Sequence, residues 1–151
     1  MLIFILRTDW VACDRLLLKL KPDPATDPEL AFLLSETHIE SLIYRGRHTE
    51  ALSRIESLAI ELKEDNADIL QRVSMLIAKA TLFAETGKPE RGFSIALRAT
   101  SISFKARLMP RLWHAVGLIA NILNSLGEFE AASRLLDAVI PQVRICLRTS
   151  D

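Results

Sequence analysis

Apolar residues recur along this chain at intervals of three and four, the spacing that lines one face of an α-helix, and glycines interrupt the runs at regular distances. In NSLGEFEAASRLLDAV, Asn124 to Val139, Gly127 follows one amphipathic run, and Phe129, Ala132, Leu136 and Val139 mark the buried face of the next. Glycine adopts positive φ at little steric cost and so closes the first helix. The second helix then folds back, with the small Ala132 at the closest approach. A single helical hairpin cannot bury its apolar face alone, so a stable chain needs the motif repeated.

The motif returns. With Gly87 as origin, ETGKPERGFSIALRAT places Gly92, Ala96 and Ala99 at the offsets of Ala132, Leu136 and Val139. With Gly46 as origin, YRGRHTEALSRIESLA places Ala51, Ile55 and Leu58 there. A weaker copy, RTDWVACDRLLLKL, has Thr8 in the glycine position, followed by Trp10, Cys13, Leu17 and Leu20. Successive origins stand 38, 41 and 40 residues apart. Upstream, Ile39, Ala80 and Ala120 lie seven residues before their origins and Leu42, Phe83 and Leu123 four before, as inward positions of each first helix. Pro28 and Pro110 fit the first turn of a helix, where a missing N–H is harmless, and the stretch from Asp65 to Asp68 suits side-chain capping. Pro22 and Pro141 each fall fourteen residues after an origin, where the second helix is expected to stop.

These registers predict an all-α fold, an array of antiparallel helix hairpins with a period of about 40 residues. It is expected as one domain over residues 1–151, with units at about 1–25, 26–64, 65–105 and 106–143 and some six long helices after a partial first one. The residues expected to define the packing are Gly46, Ala51, Gly87, Gly92, Ala99, Gly127, Phe129 and Ala132.

Composition agrees and narrows the class. Half of the 151 residues are hydrophobic, only 6% are aromatic, and there are five glycines, a mixture that favours helix. Nineteen basic residues balance nineteen acidic ones, so no long-range field draws the chain to nucleic acid or an anionic membrane. Lys and Arg read as solvated outward positions. The two cysteines, Cys13 and Cys146, lie near opposite ends of the sequence, too far apart to pair in a linear array, and imply a reducing compartment. No run reaches the length of a membrane helix, and MLIFILRTDW reads as the last turns of a first helix rather than a signal peptide. Neither end carries a polar capping repeat. The expectation is a piece of a longer array, with apolar faces at Phe4, Ile5, Trp10 and Leu17 and at Leu135, Val139, Ile140 and Val143 inviting self-association.

The order of small residue, large residue, glycine, aromatic, alanine and alanine resembles the tetratricopeptide repeat, whose usual period is 34 residues; here the helices are longer, and the resemblance implies a tetratricopeptide-like, right-handed superhelical array of the hairpins. KPERGFSIALRATSISFKARL followed by LWHAVGLIANILNSLGEFEAASRLLDAVIPQV resembles the tetratricopeptide part of the family of subunit 5 of the anaphase-promoting complex, or cyclosome, over roughly Glu29 to Val143. That resemblance implies a non-enzymatic scaffold subunit of a large ubiquitin ligase acting in mitosis. It also implies platform subunits of that complex as partners and residence in nucleus and cytoplasm. The family's usual amino-terminal region is absent, so surfaces formed with it are not implied.

Chemistry-bearing patterns are sparse. His38, His48 and His114 show no metal-ligand spacing, and there is no HExxH, paired CxxC or GxSxG. GKPERG, Gly87 to Gly92, lacks the GK[ST] ending of a phosphate-binding loop and falls on a hairpin turn. His48 takes the place of Trp10 and Phe129 and reads as a packing residue. No cofactor, metal or catalytic residue is expected. Candidate partner-binding residues are Trp113 and His114, on a first helix of the kind that lines the concave face of such arrays, and Arg45 and Arg47, which with His48 form a basic cluster at a turn. The alternative from another class is a sensor or cargo-binding domain of a signal-dependent regulator or motor light chain.

Overall fold

A computed structural model describes residues 27–62 and 68–148, together with Ala12, Arg15, Leu16, Lys19 and Leu20, with side chains in the last helix as far as Pro141. The described residues are all-α, with no strand among them. The helices are α1 (Pro28–Tyr44), α2 (His48–Glu61), α3 (Ile69–Glu85), α4 (Pro89–Lys105), α5 (Met109–Ser125) and α6 (Phe129–Arg148). Thr8, Trp10, Cys13, Leu17, Pro22 and Asp65 lie outside the described residues, as do Phe4 and Ile5 and the side chains of Val143 and Cys146. The chain divides into two compact units, Met1–Gln71 and Arg72–Asp151.

The helix starts follow from local chemistry. Asp27 caps α1 by accepting a hydrogen bond from the Leu30 N–H at 3.1 Å, and Pro28 takes the first position. At α3, Asp68 Oδ1 accepts from the Gln71 N–H at 2.8 Å while Gln71 Oε1 accepts from the Asp68 N–H at 3.2 Å, so two orphan donors are satisfied reciprocally. Proline also lies in the first turn of α4 and of α5.

One turn design is used four times. After α1, Gly46 has φ +71°, its N–H bonds Ile43 O, and the next N–H, of Arg47, reaches back to Leu42 O at 2.9 Å. The same pair of bonds closes α3 at Gly87 (φ +73°) and α5 at Gly127 (φ +81°). It closes α4 as well, where Leu108 N–H bonds Ser103 O at 2.9 Å, but there the left-handed residue is Arg107, at φ +56°. This is the Schellman motif. In each case the residue after the left-handed one is also the N-cap of the next helix, its carbonyl bonded by the N–H of Ala51, Gly92, Leu112 or Ala132. The turn between α4 and α5 thus repeats the hairpin turn without glycine, and an L-residue in that conformation carries a penalty of about 1–2 kcal/mol.

In the first unit, α1 and α2 pack through Ile39, Leu42, Ala51, Ile55 and Leu58, all less than 5% exposed. Arg54 ties them by donating to Ser35 Oγ at 3.0 Å while its other terminal nitrogen pairs with Glu61 at 2.9 Å. In the second unit, Val73 and Ile77 of α3, Ala99 of α4 and Ala115 of α5 form one layer, and Ala80, Ala96 and Ile119 form the next. Ascending positions on α4 meet descending ones on α3 and α5, so neighbouring helices run antiparallel. A third level is tighter still: a Cβ on Gly92 would lie 2.8 Å from Ala80 O and 3.2 Å from Ala84 N on α3, and 3.4 Å from Ile122 Cδ1 on α5.

Two expectations are corrected. Pro141 does not end the last helix, which runs through it to Arg148. A proline removes one intrahelical bond, that to the carbonyl four residues earlier. Here that carbonyl belongs to Asp137, an exposed residue. Phe129 is not a packing residue: it is 68% exposed. It is the first residue of α6, a turn ahead of the buried Ala132.

Candidate functional site

Trp113 and His114 sit in the first half of α5, in the second unit. Leu112, Ala115, Val116 and Ile119 occupy the inward face of that helix, and successive residues are about 100° apart around a helix. Trp113 is therefore half-buried at the edge of the packed face, and His114 is exposed. Trp113 is of a residue type enriched at protein interfaces, and His114 is the next residue around the helix.

Arg45 and Arg47 flank Gly46 in the α1–α2 turn of the first unit. The expected basic cluster also contains a carboxylate, that of Glu50. Arg47 Nε donates to Glu50 Oε1 at 2.7 Å and its Nη2 donates to Oε2, a bidentate pair across one turn. The hydrogen bond from Arg47 holds the Glu50 carboxyl below the usual range, and the charges of Arg47, His38 and Arg45 act in the same direction. His38, in the middle of α1, contributes its charge to this group, while His48 is half-buried at the start of α2. The signal was present in sequence as the Arg47–Glu50 spacing of three, which brings the two onto one helix face.

The packing positions Ala51, Ala99, Ala132 and Gly92 are buried, and Gly46, Gly87 and Gly127 occupy left-handed turns. They build the frame and hold no reactive group. Among the described residues no three His, Cys, Asp or Glu side chains gather as a metal site would require, and no described helix is long and apolar enough to cross a membrane. The arrangement offers surfaces for contact: an aromatic–imidazole pair on α5 and a charged turn between α1 and α2.

The chain matches no protein-family model, no curated protein and no solved structure.

Proposed function

We propose that this chain is a non-catalytic, protein-binding scaffold whose hairpins stack as a right-handed, tetratricopeptide-like superhelix. The observation that carries the reading is the fourfold use of one helix–turn–helix geometry, with Gly46, Gly87 and Gly127 at intervals of 41 and 40 residues. A regular interval and an invariant turn are what allow hairpins to bury each other's faces in series, and the extended surface so formed is used for binding other proteins. The resemblance of the α4–α6 sequence to subunit 5 of the anaphase-promoting complex points to the assembly: the chain would hold platform subunits of that ubiquitin ligase in nucleus and cytoplasm, supporting mitotic progression without transferring ubiquitin itself. Trp113 and His114 are the proposed contact residues on the first helix of a hairpin, and the Arg45–Arg47 turn is a second contact.

The test is affinity purification of the tagged protein from dividing cells, followed by mass spectrometry. Co-purification of platform and RING-containing subunits is the expected outcome, with Trp113→Ala reducing their recovery at unchanged melting temperature. Recovery of a sigma factor or a motor heavy chain in their place would overturn the assignment in favour of a sensor or cargo-binding role.

A further inference from the structure

Charge is distributed unevenly along this neutral chain. Between Glu90 and Glu128 there is no acidic residue at all, while Arg91, Arg98, Lys105, Arg107 and Arg111 fall in that interval. The fold sharpens the asymmetry within the second unit. Because α3, α4 and α5 alternate in direction, the turns at Gly87 and Gly127 lie at one end, and the turn at Arg107 lies at the other, one helix length or about 25 Å away. Glu85, Glu90, Glu128 and Glu130 are all at the glycine end, while Asp137 lies midway along α6 and Asp68 at the opposite end of α3 from the Gly87 turn. The Arg107 end carries Lys105, Arg107 and Arg111.

Three further observations single out that end. Phe104 is 71% exposed there, whereas Phe83 at the opposite end is covered by the Arg91 guanidinium, 4.6 Å from its ring centre. Among the described residues neither Lys105 nor Arg107 forms an ion pair. And Arg107 holds φ +56° in a turn whose three counterparts are glycine. One cation at the C-terminus of α4 is explained by the helix dipole, and Lys105 supplies it. Nothing in the turn itself favours arginine over glycine at position 107, and a strained residue of this kind directs attention to its side chain.

We propose that the α4–α5 turn is a docking surface for an acidic peptide segment of a partner protein, with Lys105 and Arg107 meeting its carboxylates and Phe104 an apolar or aromatic residue between them. The backbone fixes the three together, since the Arg107 N–H bonds Phe104 O at 3.2 Å and the Leu108 N–H bonds Ser103 O at 2.9 Å. The size of the patch selects the partner. A nucleic acid is tracked by a basic groove along several phosphates with repeated stacking platforms, and this turn has a few cations and one ring. Membrane binding uses a continuous apolar helix face, but α4 and α5 bury theirs within the unit. A short acidic stretch fits both the charge and the extent. This inference deepens the scaffold reading and rests on it for the nature of the partner.

The experiment uses the full chain and a fluorescein-labelled, glutamate-rich peptide with two phenylalanines, followed by fluorescence anisotropy over a range of salt. Binding should weaken with salt, and the peptide with lysine in place of glutamate should not bind. Arg107→Gly is the informative variant because it removes the cation while placing the residue the turn geometry prefers. Its melting temperature should be unchanged or higher and its affinity about two- to fivefold lower, with Phe104→Ala also lower and Arg98→Ala, further along α4, unchanged. A structural role for Arg107 would instead lower the melting temperature and the affinity together. Equal affinity of wild type and Arg107→Gly would overturn the proposal. So would tighter binding of single-stranded RNA or phosphatidylserine vesicles, or a concentration-dependent dimer that Arg107→Gly abolishes. Failure to recover cyclosome subunits while the acidic peptide still binds would overturn that assembly and leave this surface standing.

Discussion

Helices α2 and α4 occupy the same register of their hairpins and bury the same positions, yet with side chains of opposite size. Counting from the glycine of the turn, α2 presents Ala51, Ile55 and Leu58, and α4 presents Gly92, Ala96 and Ala99, followed by Ser103. All of these are buried. The difference follows from what each meets within its own unit. In the first unit α2 lies on α1, and large side chains fill the space between two helix axes. In the second, α4 contributes to layers shared with both α3 and α5, and Gly92 comes against the backbone of one and a side chain of the other. A thin middle helix lets three helices approach closely, and α4 is thin along its buried stripe. A shared register therefore sets which positions go inward, while the closeness of the neighbouring helices limits how large they can be.

The strongest test of that difference removes bulk where α2 needs it. Ile55 is fully buried, and Ile55→Ala should destabilise the protein by about 2–5 kcal/mol through lost burial and the cavity left behind. Ala96 stands at the equivalent position of α4. A loss below about 1 kcal/mol at Ile55, measured by urea denaturation, would mean that α2 does not rely on large side chains and the contrast with α4 is not one of packing.

Next in size is the addition of a methyl group where α4 has none. Helix propensity alone favours Gly92→Ala by about 1 kcal/mol. The new Cβ would lie 2.8 Å from the Ala80 carbonyl oxygen, a backbone atom that moves only with its helix. Overpacking of this kind costs about 1–3 kcal/mol, so the expected net effect is destabilisation, although the same residue is present at Ala51. A raised melting temperature would show that α3 and α4 are further apart than this contact requires.

How much of this was legible beforehand divides by the range of the physics involved. The turns at Gly46, Gly87 and Gly127 were readable because a left-handed residue, its neighbours and the helix start behind it are set within a few residues of chain. The inward register was readable for the same reason, as a spacing of three and four. The fourth turn was not, because Arg107 adopts a conformation that its residue type disfavours and only the surrounding helices specify. Pro141 was misread as a stop because the penalty of an interior proline depends on whether the freed carbonyl reaches water, which is a matter of tertiary exposure. Phe129 was misread because hydrophobicity indicates a preference for burial and not the presence of a neighbour at that height. Of the candidate contact residues, their helix and turn positions were legible; the pairing of Arg47 with Glu50 was available in the spacing and overlooked.

A third change sharpens the comparison at the far end of the α4 stripe. Ser103 is fully buried and its hydroxyl has no hydrogen-bond partner, as is also true of Ser41 and Ser74. By contrast, the hydroxyls of Thr81 and Thr100 donate to the carbonyls four residues before them, at 2.9 Å each. An unsatisfied buried hydroxyl is unfavourable, and alanine fits the same space with better helix propensity. Ser103→Ala should therefore stabilise the protein by about 1 kcal/mol. If it destabilises, the hydroxyl is satisfied in solution by a water bound between the helices, and the stripe is less dry than its neighbours Ala96 and Ala99 indicate.

The smallest expected effect lies at the first turn of α2, where Arg47 and Glu50 form their pair with both side chains substantially exposed, at 42% and 56%. The Glu50 carboxyl is held low first by the hydrogen bond from Arg47, with the charges of Arg47, His38 and Arg45 adding to it. A carboxylate whose folded-state pKa lies below its unfolded value contributes stability that is fully present above the unfolded value, about 4.3 for glutamate, and is lost as pH falls through the lower folded value. The contribution should be constant near neutrality and decline only in acid. Solvent and salt screen an exposed pair, so the effect on the melting temperature is expected to be slight and to shrink in high salt. Direct titration of the Glu50 side chain by NMR is the decisive measurement: its midpoint should lie below that of an unpaired glutamate and return toward it in Arg47→Ala. A midpoint unmoved by that substitution would place the origin of the shift at His38 and Arg45, and the first turn of α2 would then be organised from α1 and not by its own cap residue.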